Sequence, residues 1–216
     1  MALDPLLGLG LFVFLVHACT LVLRSLGSRA LARAVAVLGA AGIPLHELGH
    51  AIPALLFRMK IEEVDLLSMM PNGRGFSGHV THRVASSAAG AVAVFCGPLV
   101  LALPAISFLG DVYAQQAAAG LDPVYLGGIF LVAVSVAMAC TPSGADAGVL
   151  ARAAGRFKGQ AVVTLAGMAC GAWMLWELGA PLAPWWWLLL DCLVVLGTGT
   201  ACCMVYARLR PTTSTV

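Results

Sequence analysis

Six long apolar segments constrain the fold of this chain more than any other feature of its sequence. They cover residues 5–23, 35–57, 84–109, 124–150, 161–178 and 185–207. A helix needs about 20 mostly apolar residues to cross a bilayer. We therefore expect an all-α, polytopic membrane protein with about six transmembrane helices.

The composition leaves little room for other classes of protein. Hydrophobic residues make up 61% of the 216 residues and charged residues only 10%, whereas a soluble domain carries about 45–50% and 25%. The net charge of +2 and the lack of a basic stripe exclude a nucleic-acid partner. We expect one membrane-embedded domain over residues 1–216, with the lipid bilayer as its surroundings and an oligomeric state that the sequence leaves open.

The basic residues predict how the spans are oriented. With six spans, both termini lie on the side that holds the second-to-third and fourth-to-fifth connections, and nine basic residues fall there: Arg58, Lys60, Arg74, Arg83, Arg152, Arg156, Lys158, Arg208 and Arg210. The other side has only Arg24, Arg29 and Arg33. The positive-inside rule makes the richer side cytoplasmic. We expect a multi-pass plasma-membrane protein with cytoplasmic termini.

The connection over residues 58–83 differs from the others because it is long and polar. Runs of extended type at 61–67 and 76–84 flank the turn-forming Pro71-Asn72-Gly73. These signals predict a small β-hairpin or sheet at the cytoplasmic face, and a solvated loop is the alternative.

The second apolar segment contains the motif His46-Glu47-Leu48-Gly49-His50, an H-E-x-x-H pattern. Residues four apart share a helix face, so both imidazoles can bind one zinc ion, and the glutamate is placed to polarise a water molecule there. Ionisable residues are costly at membrane depth and usually mark function. Pro44 predicts that the helix bends just before the motif.

A catalytic zinc ion takes three protein ligands and leaves a fourth position open. At ~1.5 Å per residue, His50 lies about 12 Å below the cytoplasmic edge and Asp146 about 9 Å below it. Asp191 lies about 25 Å below that edge, which is too deep to share the ion. We therefore predict Asp146 as the third ligand, and the alternative is that Asp146 only caps a helix.

This combination resembles the site-2 protease family of intramembrane zinc metalloproteases. The resemblance rests on the membrane-embedded H-E-L-G-H, the β-rich segment after it, and an aspartate in a Pro/Gly-rich break two spans later, within about residues 35–150. It implies that His46, His50 and Asp146 bind Zn2+ and that Glu47 is the catalytic base. The depth count separately predicts an active site toward the cytoplasmic side.

Some positions depart from the family pattern. Ala147 separates the aspartate from Gly148, and Val100 and Leu101 follow the Gly-Pro pair where an asparagine is common. The chain therefore resembles a divergent, minimal member without the PDZ domain of some relatives.

Four further residues are candidates for substrate binding. Gly97 and Pro98 are similar to a Gly-Pro motif of the family, and His79 and His82 lie in the predicted hairpin. In a strand, residues three apart face opposite sides, so the two histidines are not expected to share a metal.

The function that the resemblance implies is hydrolysis of a peptide bond within or near a transmembrane helix of a membrane-protein substrate, as in regulated intramembrane proteolysis. The alternative is a zinc transporter or sensor without hydrolytic activity. Intramembrane His and Asp side chains suit both functions, but the glutamate at its motif position favours the hydrolase.

Overall fold

The computed structural model describes residues 5–70, 75–83, 87–140, 143–177 and 185–209. Most of these residues are helical, and the rest include one antiparallel two-stranded sheet, so the mostly helical fold with a small β-element is confirmed. The elements are α1 (Pro5–Ser25), α2 (Arg29–Gly39), α3 (Ile43–Leu56), β1 (Ile61–Met69), β2 (Phe76–His82), α4 (Ala88–Ala118), α5 (Pro123–Ala139), α6 (Gly144–Arg156), α7 (Lys158–Glu177) and α8 (Trp185–Leu209).

Three helical stretches are long and apolar enough to cross a membrane. They are Gly8–Ser25, Arg29–Leu56 and Ala88–Ala118, and the shorter apolar helices Pro123–Ala139 and Leu190–Tyr206 accompany them. Length and composition therefore support a membrane protein, while the six-span arrangement and its orientation stay predictions.

The third and fourth predicted spans differ from the helices that form. The third was expected over 84–109, but α4 continues to Ala118 because its polar end still satisfies the helical hydrogen bonds. The fourth, expected over 124–150, is divided into α5 and α6. The division follows from a new helix start at Ser143, whose side chain accepts a hydrogen bond from a backbone N–H of α6.

A 3-10 turn interrupts the helix just before the motif, where Pro44 predicts a bend. A 3-10 turn, Ala40–Gly42, separates α2 from α3, and Pro44 lies in the first turn of α3, where its missing N–H costs no hydrogen bond. The buried N–H of Gly42 donates to Ser135 Oγ of α5 at 2.9 Å. This contact holds the 3-10 turn against α5.

Helices α3 and α4 approach closely at the level of the motif. A Cβ at Gly97 would collide with the carbonyl oxygen of Gly49, and a Cβ at Gly49 would lie 2.5 Å from the Pro98 Cα. Both glycines and Pro98 are buried. Because the two glycines have no side chains, the backbone of α4 can pack directly against the backbone of α3, the helix that carries the motif.

Two apolar clusters fill the interior on either side of this crossing. One joins α3, α4 and α6 and contains Ala54, Met59, Ala91, Val94 and Ala153. The other joins α4 and α5 and is covered by α1; its buried members are Ala102, Ile106, Val136, Ala137 and Cys140. Small side chains predominate, so the helices pack at short distances.

The hairpin predicted over 58–83 is present, and its strands pair Ile61 with His82, Asp65 with His79 and Met69 with Phe76. The Pro71-Asn72-Gly73 turn lies outside the described residues. The sheet packs along α3, because a Cβ at Gly78 would lie 2.6 Å from Glu47 Cγ. Strand β2 therefore runs past the motif.

Replacing Gly97 with alanine is expected to lower the free energy of unfolding by at least about 2 kcal/mol, because the new methyl group meets backbone that cannot move aside. Gly110→Ala on the same helix is the matched control, since nothing lies within 4 Å of its Cβ position. That variant should be neutral or stabilised by up to about 1 kcal/mol. Unfolding in detergent followed by circular dichroism measures both, and equal stability of the two variants would contradict the crossing.

Candidate metal centre

Helix α3 brings the two motif histidines together. His46 and His50 lie one turn apart, so their side chains share a face. The ring centroids are 4.7 Å apart and the two Nε2 atoms 3.2 Å apart. The helix alone therefore supplies two nitrogen atoms at one point.

Asp146 reaches the same point from the start of α6. Its Oδ1 lies 3.4 Å from His50 Nε2, and its Oδ2 lies 3.9 Å from His46 Nε2. The predicted third ligand thus lies beside the histidines. Among the described residues, these three side chains are the only such group of His, Cys, Asp or Glu, with one ligand atom of each within 4.8 Å of the others.

A capping box holds the aspartate in place. The N–H of Ser143 donates to Asp146 Oδ2 at 2.6 Å, and the N–H of Asp146 donates to Ser143 Oγ at 3.2 Å. Asp146 therefore takes part in capping α6, as the alternative interpretation proposed, and also faces the histidines. The helix N-terminus favours a negative charge there.

Backbone carbonyl groups fix the tautomer of both imidazoles. Nδ1 of His46 lies 2.5 Å from the carbonyl oxygen of Ala139, and Nδ1 of His50 lies 2.8 Å from that of Val94. A carbonyl oxygen only accepts, so each Nδ1 carries the proton and donates it. In the neutral form of each ring, Nε2 therefore carries the lone pair and faces the point that Asp146 also reaches.

Two lone pairs and a carboxylate at this spacing favour a cation between them. With metal–ligand distances of about 2.0–2.2 Å, the ligand atoms of a tetrahedral zinc site lie about 3.3 Å apart. The observed separations are 3.2, 3.4 and 3.9 Å. Two imidazoles and one carboxylate also form a known set of catalytic zinc ligands. The group could therefore hold a metal ion.

Glu47 lies beside this group but is not part of it. Its side chain is buried, with 6% exposed, and packs under Gly78 of β2. It lines a cavity of about 330 Å³ together with His46, His50 and Asp146. A carboxylate in this position can exchange a proton with a water molecule or an amine held in the cavity.

The four candidate substrate-binding residues separate into two pairs. His79 and His82 line the 330 Å³ cavity, and His79 also lies 3.4 Å from a carboxylate oxygen of Glu63. Gly97 and Pro98 do not line it but pack against Gly49 on α3. The structure thus places the histidines beside the candidate metal ligands and the Gly-Pro pair at the helix crossing.

Asp191 does not join the three candidate ligands, in agreement with the prediction that it is not the third ligand. It is buried, with 8% exposed, and its Oδ2 atom has no hydrogen-bond partner within the part of the chain that is described. It belongs to no group of candidate metal ligands there.

Three supporting features were not found from the sequence. Ser143 could have been, because Ser143-Gly144-Ala145-Asp146 has the spacing of a capping box. The carbonyl groups of Ala139 and Val94 leave no sequence signal, since every residue has one. The sequence alone does not show that Gly78 matters, because its role depends on β2 passing close to Glu47.

Comparisons with family models, curated proteins and solved structures give no match for this chain.

Asp146→Asn is expected to weaken metal binding at least about 100-fold, because an amide oxygen replaces a charged ligand beside two neutral imidazoles. Asp191→Asn is the matched control and should leave the zinc content unchanged. Zinc per folded chain after dialysis, measured by mass spectrometry, checks both. A loss of zinc from the Asp191 variant with retention in the Asp146 variant would overturn the ligand set.

Proposed function

We propose that this protein is an intramembrane zinc metalloprotease that hydrolyses a peptide bond within or near a transmembrane helix of a membrane-protein substrate. The observation that carries the proposal is the convergence of His46, His50 and Asp146 with Glu47 beside one cavity. The resemblance of the sequence motifs to the site-2 protease family supports the same function.

A zinc ion held by His46, His50 and Asp146 would supply a Lewis acid that polarises a peptide carbonyl and makes water a stronger nucleophile. The two imidazoles, each anchored through Nδ1, keep their Nε2 atoms directed at the site. The Ser143 capping box keeps the carboxylate of Asp146 there.

Glu47 performs the proton transfers. Its carboxylate takes a proton from the attacking water molecule and then delivers it to the amine that leaves when the peptide bond breaks. Burial beneath Gly78 restricts the carboxylate to the wall of the cavity. One group thus acts first as a base and then as an acid.

The substrate must be extended at the bond that is cut. A helix hides its carbonyl groups in i to i−4 hydrogen bonds, so a transmembrane segment has to unwind locally before attack. Strand β2 passes the motif and offers backbone groups to an unwound peptide, as in strand addition.

Glu47→Gln is expected to lower the rate of hydrolysis by more than about 100-fold while zinc stays bound, because the amide cannot take the proton. Glu62→Gln is the control, since Glu62 is exposed on β1 and pairs with Arg83 at 3.2 Å. Protein in bilayer nanodiscs is mixed with a library of internally quenched apolar peptides, and cleavage is followed by fluorescence and mass spectrometry.

Full cleavage by the Glu47→Gln variant would contradict the proton-transfer role. Zinc flux into proteoliposomes, together with no cleavage by the wild-type protein, would favour the transporter instead.

A further inference from the structure

A second cavity adjoins the one beside the metal ligands. The two enclose about 330 and 350 Å³, and His46, Glu47, Gly78 and Ser143 line both. The second lies between α1, α2, α5 and the hairpin. The motif therefore lies at the junction of the two cavities, and a bound peptide could extend from it in both directions.

Strand β2 runs along both cavities, so its length indicates how long a peptide the two cavities can hold. Phe76 and Ser77 line the second cavity, Val80 and His82 line the first, and Gly78 lines both. From Phe76 to His82 there are six residue steps, or about 20 Å at ~3.4 Å per residue. An extended peptide of about seven residues along β2 would thus occupy both cavities. A bond level with Gly78 lies beside Glu47.

The second cavity has a distinct chemistry. Its apolar lining includes Val35, Ile43, Met70, Phe76 and Met138, and the exposed Arg24 from the last turn of α1 also lines it. Among the described residues, no carboxylate lies within 4.0 Å of the Arg24 guanidinium.

An exposed guanidinium with no carboxylate partner among the described residues, in a cavity with a largely apolar lining, suits a peptide that carries one acidic group a few residues from apolar ones. It offers a fixed fork of donors that matches a carboxylate. Strand β2 lines the second cavity from Phe76 to Gly78, which is two residue steps, so an acidic group bound there belongs about two to three residues from the cut bond.

We propose that Arg24 forms a specificity subsite that selects a peptide substrate with Asp or Glu two to three residues from the cut bond, on one side of it. The proposal rests on the proposed protease function and adds the chemical class of the substrate. A peptide is favoured over an anionic lipid headgroup because Glu47 lines the same cavity as Arg24.

The test uses the full chain in nanodiscs made only of zwitterionic lipid. The probes are quenched apolar decapeptides that carry a single Asp, Asn or Lys at each position within three residues of the cut. At one position the Asp peptide should have a kcat/KM about five- to tenfold above the Asn peptide. Arg24→Gln should remove this ratio, and Arg24→Glu should shift the preference to Lys.

Arg33→Gln is the matched control, because Arg33 is exposed like Arg24 but lines neither cavity; it should keep the Asp preference. An unchanged Asp/Asn ratio in Arg24→Gln overturns the subsite. An equal loss of activity on all three peptides also overturns it, and restoration of that loss by anionic lipid would assign Arg24 to a headgroup.

Binding separates this proposal from the protease function. Fluorescence anisotropy of the same peptides with the Glu47→Gln variant measures the Asp/Asn affinity ratio without hydrolysis. A ratio of five or more that depends on Arg24, with no cleavage by the wild-type protein, supports the subsite and refutes the protease. Cleavage by the wild-type protein without an Arg24-dependent Asp/Asn affinity ratio supports the protease and refutes the subsite. Failure of the variant to bind any of the peptides also refutes the subsite.

Discussion

The carboxylate of Asp146 connects the local fold to the chemistry of the site. It accepts a hydrogen bond from the N–H of Ser143, lies at the positive end of α6, and faces the Nε2 atoms of His46 and His50. The start of α6 therefore fixes where the third ligand atom lies. If α5 and α6 were one continuous helix, the N–H of Ser143 would be bonded within that helix and could not hold the carboxylate of Asp146.

The sequence predicted those parts of the fold and site that depend on regular spacing. The H-E-x-x-H pattern places His46 and His50 on one helix face, Pro44 predicts the bend before them, and counting residues by depth selects Asp146 over Asp191. Alternating polarity around a turn sequence predicts the hairpin. In each case a short stretch of chain contains all the information that the prediction needs.

The remaining features depend on contacts between distant segments, so the sequence could not predict them. The crossing of Gly49 with Gly97 and Pro98 requires the relative placement of α3 and α4, and the carbonyl groups that anchor the imidazoles have no residue-specific signature. The extension of α4 to Ala118 was missed because the predicted end followed hydropathy, which reports the surroundings of a helix rather than its hydrogen bonds.

Main-chain anchoring of the histidines has a consequence for how this site tolerates change. In many metal sites a side-chain carboxylate orients the imidazole, and one substitution removes it. Here the partners of both Nδ1 atoms are the backbone carbonyl groups of Ala139 and Val94, which persist whatever side chains stand there. A side-chain substitution at either position therefore leaves the hydrogen-bond acceptor itself in place. The orientation of the imidazoles changes only when the backbone of α4, or of the segment that ends α5, moves relative to α3.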